Sequence, residues 1–104
     1  MSDRQWNAVH QILQEHKSLH KWRSRLDELR RRYDGIFYVL QTRCPWRCLS
    51  PAYGEYQYIN NLYADDMAAG IMPLIVDALA QHGGPVLSLR VGVGTSAGAK
   101  SVEL

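Results

Sequence analysis

The sequence predicts a small α+β domain, in which a long amino-terminal helix and a second helix broken by proline pack on a short two-stranded sheet. Apolar residues recur at helical spacing through residues 2–34. Two short runs rich in β-branched and apolar residues lie at 36–40 and 86–93. The chain has 104 residues, 46% of them hydrophobic and 21% charged, which suits one globular domain and excludes a disordered or collagen-like chain. We place the domain at residues 1–94 and expect a flexible tail over 95–104.

The first helix is predicted over residues 2–34. Ser2 and Gln5 have the spacing of a capping box, in which each side chain bonds the backbone of the other. No proline or glycine interrupts the segment before Gly35, which would end the helix. Arginines at 30–32 suit the negative end of the helix dipole.

The length of this helix poses a packing problem. It would measure about 48 Å at about 1.5 Å per residue, whereas a compact domain of this size is about 26 Å across. Either the helix breaks near Lys17 and Ser18 and folds back, or a second subunit covers its apolar face. We favour the homodimer, because residues 16–20 contain no turn signal. The apolar face that the dimer would bury comprises Ile12, Leu19, Trp22, Leu26 and Leu29.

The two predicted strands are short. Residues 36–40 form a continuous apolar run after Gly35, which indicates a buried strand. Apolar and polar residues alternate through 86–93, which indicates a strand with one buried face. Because two strands alone make a marginal sheet, pairing between two copies would complete it.

Between the strands, the sequence predicts a loop over 44–54 and a helix in two parts. Pro73 cannot continue a helix, and Gly70 just before it favours a break. We therefore expect helical segments at about 61–69 and 73–82.

Aromatic residues with neighbouring arginines support the leading functional hypothesis. A tyrosine offers a large contact area at low entropic cost, so a tyrosine-rich segment suits a protein-binding surface. We predict a small non-enzymatic adaptor, regulator or inhibitor that docks on another protein as a homodimer. The residues assigned to this surface are Arg43, Trp46, Arg47, Tyr53, Tyr56 and Tyr58.

Charge supports an alternative, a regulator that binds nucleic acid. Residues 1–47 hold ten Lys and Arg against five Asp and Glu, whereas 48–104 hold two against five. Lysine and arginine side chains neutralise phosphates. A solvated helix face is the competing explanation, because Asp27 and Glu28 interrupt the basic run. The residues assigned to nucleic acid are Lys21, Arg23, Arg25, Arg30, Arg31 and Arg32.

A third alternative is a zinc or thiol-redox site at Cys44 and Cys48. Their spacing fits half of a zinc site, and neighbouring arginines would make the thiols more reactive. His16 and His20 stand four residues apart and would share a helix face. With no second cysteine pair, however, we predict no cofactor and no bound metal.

Enzymatic and membrane patterns are weak. Asp65 and Asp66 are the only adjacent acidic pair in 48–104, and adjacent residues on a helix do not face one site. A glycine-rich stretch at 92–101 departs from the spacing of a phosphate-binding loop. We predict that the protein is not an enzyme. With no secretory signal and a longest apolar stretch of six residues at 71–76, we also predict a cytoplasmic protein with no membrane contact.

Overall fold

A computed structural model of the chain describes residues 1–90. This part of the chain is 70% helical and contains no strand, so the predicted α+β class and its two-stranded sheet are wrong. The predicted tail at 95–104 lies outside the described residues. Four α-helices build the fold: α1 (Asp3–His16), α2 (Leu26–Thr42), α3 (Tyr56–Ala68) and α4 (Met72–Gln81).

The predicted continuous helix breaks after His16. Its start is confirmed, because Ser2 and Gln5 form both hydrogen bonds of the capping box. Lys17 then becomes extended, with φ −136° and ψ 157°, while its N–H still donates to the Leu13 carbonyl at 2.8 Å. A 3₁₀ turn follows at His20–Trp22 before α2 begins. The fold-back near Lys17 is therefore the correct alternative, and the uninterrupted helix is wrong.

This break buries the apolar face that the dimer was expected to cover. Leu29 is buried in the core, and the other four residues of that face pack partly buried against it. A projecting apolar seam therefore no longer argues for a second subunit. The homodimer stays a prediction without that support.

Helix α2 absorbs the segment predicted as the first strand. Residues 36–40 continue the helix, because an apolar run of five cannot by itself separate a buried helix from a buried strand. Gly35 lies inside α2 instead of ending it. A Cβ at Gly35 would lie 2.9 Å from the Cβ of Tyr53 and 3.3 Å from Leu49 Cδ2, so the glycine permits close packing of the loop on the helix. The helix ends at Thr42, and the C-cap residue Arg43 has a left-handed conformation with φ 63°.

The loop after α2 contains two 3₁₀ turns, Trp46–Cys48 and Pro51–Tyr53. Helix α3 starts at Tyr56, earlier than the predicted residue 61, and its buried face meets α2. The predicted break before the last helix is confirmed at Gly70, which has φ +76°. Helix α4 then packs mainly on α1.

After α4 the chain continues as an irregular segment along the outside of the core. Leu87 and Leu89 pack against the core. The Tyr63 hydroxyl donates to the Arg90 carbonyl at 2.6 Å and accepts the Arg90 N–H at 2.8 Å. The predicted second strand is therefore wrong over 86–90, and its remainder at 91–93 lies outside the described residues. Within residues 1–90, none of the helices has the length and apolar character needed to cross a membrane.

Candidate nucleic-acid interface

The break between α1 and α2 creates a groove against α3. It has a volume of about 350 Å³ and runs between the turn at 17–22, the first half of α2 and the exposed edge of α3. We call it the Trp22 groove. Its lining comprises Lys17, Ser18, Leu19, Lys21, Trp22, Leu29, Arg32, Tyr58, Asn61, Leu62 and Asp65.

Two arginines lie over the indole of Trp22. The guanidinium carbon of Arg25 is 4.5 Å from the ring centroid and that of Arg32 is 5.1 Å from it. Arg32 also lies 5.8 Å from the ring of Tyr58, so its guanidinium bridges an aromatic side chain of α3 and one of the turn. Stacking of this kind attracts the cation to the negative face of the ring. The two positive charges are therefore held in place at one edge of the groove.

Glu28 lies between these two cations. Its carboxylate accepts a hydrogen bond from Arg32 at 3.0 Å and lies 3.5 Å from Arg25 Nε. One carboxylate cannot neutralise two guanidinium groups, so the cluster keeps a net positive charge. Arg32 Nε is also buried and has no hydrogen-bond partner among the described residues.

The predicted basic residues do not form one surface. Consecutive residues of a helix point about 100° apart, so Arg30, Arg31 and Arg32 diverge. Arg32 faces the groove, whereas Arg30 donates to Asp3 at 2.7 Å and to the Met1 carbonyl at 2.6 Å at the amino-terminal end of the fold. Lys21 and Arg25 join Arg32 at the groove, and Arg23 and Arg31 are exposed.

The exposed side of α3 contains two carboxamides that the sequence interpretation missed. Gln57 and Asn61 are both exposed and four residues apart, so they share a face of the helix. Tyr58, which is 57% exposed, lies beside them and had been assigned to a protein partner. The sequence interpretation missed this shared face because it predicts that the helix begins only at about residue 61.

The residues predicted to bind a protein partner are dispersed. Trp46 belongs to the core, where its ring lies 5.2 Å from that of Tyr63. Tyr53 is half-buried and stacks on Tyr38 at 5.8 Å, and Tyr56 is also half-buried against the core. Arg43 and Arg47 are exposed in the loop. Aromatic side chains that fill the core cannot also serve as exposed anchors.

A buried ionic network lies beneath the groove. Asp66 is 1% exposed, and its carboxylate accepts hydrogen bonds from Lys17 Nζ at 2.7 Å and from the Tyr33 hydroxyl. Burial, followed by the charge and the hydrogen bond of Asp66, raises the pKa of Tyr33 far above its ordinary value. The network ties the end of α1 to both α2 and α3.

The thiols and histidines do not converge. Cys44 is a half-buried free thiol and Cys48 an exposed one. His16 ends α1, whereas His20 lies in the following 3₁₀ turn, so the two do not share a helix face. Within the part of the chain that the structure describes, no three His, Cys, Asp or Glu residues are placed to hold a metal ion.

Comparison with known proteins places this arrangement in a family. Residues 1–76, which contain α1, α2, α3 and the start of α4, match a family described as "Putative transposase of IS4/5 family (DUF4096)". No curated protein and no solved structure matches the chain. The match overturns the predicted protein-binding adaptor or inhibitor and favours the nucleic-acid alternative. Since the match covers well over half of its length, the chain belongs to this transposase family.

Proposed function

We propose that this chain binds duplex DNA and that the Trp22 groove holds the phosphate backbone. Transposases act on DNA, so membership of this family supports a DNA-binding role for the chain. The family description implies the complete activity of DNA processing. Substrate binding is the part of that activity that we assign to residues 1–90.

The observation that carries the proposal is the stacking of Arg25 and Arg32 on Trp22, at 4.5 and 5.1 Å. A free arginine loses rotamer entropy when it binds a phosphate, which weakens the contact. Here the aromatic ring already limits that freedom. The edge of a stacked guanidinium still offers N–H donors, and these suit phosphate oxygens.

Lys21 adds a third cation at the same groove. A groove that neutralises three phosphates would give a salt dependence of about −2.7 in log–log slope. Between about 50 and about 200 mM salt, this slope corresponds to roughly a 40-fold loss of affinity. The contacts would be largely independent of DNA sequence, since phosphates carry no sequence information.

The test is fluorescence anisotropy with labelled random duplex and single-stranded oligonucleotides at about 50 and about 200 mM salt. The double variant Lys21→Gln, Arg25→Gln should bind duplex about tenfold or more weakly, with a salt slope smaller by about 1.8. The matched control Arg4→Gln, Arg43→Gln removes the same charge from two exposed residues outside the groove lining. We expect the control to change affinity by less than about threefold, since it leaves the groove contacts intact.

Three results would overturn the proposal. The first is no duplex binding by the wild-type chain at the lower salt concentration. The second is an equal loss of affinity in the groove variant and its charge-matched control. The third is a clear preference for the single strand over the duplex of the same sequence.

A further inference from the structure

The outward side of α3 has an unusual composition for an exposed helix. Gln57, Asn61, Ala64 and Ala68 follow one another at helical spacing, and all four are exposed. Exposed helix faces generally carry lysine and glutamate, which keep a charged surface in water. Asp65 is the only charged residue among the exposed residues of α3. The opposite side is fixed in the core by Ile59, Tyr63 and Asp66.

The two carboxamides have the chemistry of base readers. A carboxamide offers a donor and an acceptor side by side, which matches N6 and N7 of adenine in the major groove. Residues four apart on a helix are separated by about 6 Å along its axis, whereas bases are about 3.4 Å apart along one strand. Gln57 and Asn61 are therefore spaced to contact bases about two steps apart.

The carboxamides also lie beside the proposed phosphate contacts. Asn61 and Tyr58 line the Trp22 groove together with Lys21 and Arg32. A duplex whose backbone rests on these cations would present a groove next to α3. The helix is 13 residues long. An α-helix with its side chains is about as wide as the major groove, which measures about 12 Å, so it fits there.

Asp65 limits which part of α3 can approach DNA. It is exposed, lies at the same groove and would repel a phosphate. Since it follows Asn61 by one turn, the favourable surface ends in the amino-terminal half of the helix. Gln57, Tyr58 and Asn61 all fall in that half.

From these observations we propose that α3 reads duplex DNA in the major groove, and that Gln57 and Asn61 select adenine at two positions of the binding site. This rests on the proposed function, because the phosphate contacts must hold the duplex in place. The cations of the Trp22 groove supply affinity, and the two carboxamides supply sequence preference.

The first experiment selects binding sites from a random duplex library with the full chain. The wild type should enrich a short motif that contains adenine. The Gln57→Ala, Asn61→Ala double variant should lose that enrichment, with discrimination lowered about tenfold for each carboxamide. Because the substitutions remove no charge, the salt slope of its binding to random duplex should match that of the wild type. Alanine favours the helical conformation, so loss of folding is not expected. Gln11→Ala, Gln14→Ala on α1 is the matched control, since both glutamines are exposed.

The second experiment replaces the selected adenines with 7-deazaadenine, which removes the N7 acceptor and leaves base pairing intact. Wild-type affinity for the motif should fall about tenfold, whereas the double variant should show no change. Motif enrichment by the double variant equal to that of the wild type would overturn the assignment. Equal affinity for the motif as a single strand would exclude major-groove readout.

The two proposals fail in different ways. If the wild type binds random duplex with the expected salt dependence but enriches no motif, base readout by α3 is wrong and phosphate binding stands. If the wild type does not bind duplex, both are wrong. A motif that contains no adenine would overturn the proposed selectivity alone.

Discussion

The ammonium of Lys17 lies 2.7 Å from a carboxylate oxygen of Asp66, which is only 1% exposed. The pair joins residues 49 apart in sequence and fixes the end of α1 against α3. The turn that carries Trp22 begins directly after this contact. This partly buried ion pair therefore ties one wall of the Trp22 groove, where Lys17 lies, to α3.

Removing the cation should destabilise the fold. Lys17→Met keeps the aliphatic stem but leaves Asp66 without its opposite charge, and breaking a buried ion pair costs about 3–5 kcal/mol. Lys17 is 24% exposed, so water can partly solvate the carboxylate, and we expect a loss of about 2–3 kcal/mol. Urea unfolding measures it. The double variant Lys17→Met, Asp66→Asn should recover part of this loss. A loss below about 0.5 kcal/mol in Lys17→Met alone, which is the usual range of surface substitutions, would contradict the prediction.

Tyr33 should give the protein an alkaline instability. Burial and Asp66 raise the pKa of its hydroxyl in the folded state, whereas an unfolded tyrosine ionises near pH 10, at about its ordinary pKa. This contribution to stability is therefore complete below about pH 10 and declines above it, by about 1.4 kcal/mol per pH unit. In Tyr33→Phe, the free energy of unfolding measured with urea should no longer show that decline above about pH 10. The control Tyr58→Phe, at an exposed tyrosine, should keep the decline. If the free energies of unfolding of wild type and Tyr33→Phe fall in parallel as the pH rises, the prediction is wrong.

Gly35→Ala should destabilise the protein although it lies within a helix. Helix propensity alone favours alanine over glycine by about 1 kcal/mol. The new Cβ would lie 2.9 Å from Tyr53 Cβ, an atom next to the backbone that cannot rotate away. Overpacking of this kind costs about 1–3 kcal/mol, so the net effect should be a loss of about 1 kcal/mol. A gain in urea midpoint would show that propensity dominates.

The parts of the fold that could be predicted depend on neighbours in sequence. The capping box of Ser2 and Gln5 involves residues three apart, and the break at Gly70 arises from a local backbone conformation. The parts that were wrong depend on distant contacts. In the sequence Gly35 resembles a helix end, and only the structure shows Tyr53 packed against it. Helix α1 ends at His16, and the next residue, Lys17, bonds Asp66, which is 49 residues away.

In the candidate site, too, local features could be predicted from the sequence and distant contacts could not. The excess of positive charge in residues 1–47 indicated six basic residues. Of these, Lys21 and Arg32 line the groove and Arg25 stacks on Trp22 at its edge. It could not show that Arg30 is engaged by Asp3, 27 residues away. Gln57 and Asn61 carry no charge, so the charge pattern does not point to them. Their shared helix face can be recognised only once α3 is known to start at Tyr56.

Glu28→Gln should strengthen DNA binding. Its carboxylate bonds Arg32 at 3.0 Å and lies 3.5 Å from Arg25, so it competes with phosphate for both cations. A charge about 8 Å from a phosphate contributes about 0.5 kcal/mol of repulsion in water, and releasing the two guanidinium groups adds to this gain. We expect affinity for random duplex to rise about two- to fivefold at about 50 mM salt, as measured by anisotropy, with a smaller gain at about 200 mM salt because of screening. Asp77→Asn removes an equal charge from α4, outside the groove lining, and should change affinity by less than the experimental spread. Weaker binding in Glu28→Gln would instead mean that the carboxylate is needed to hold the two arginines in position.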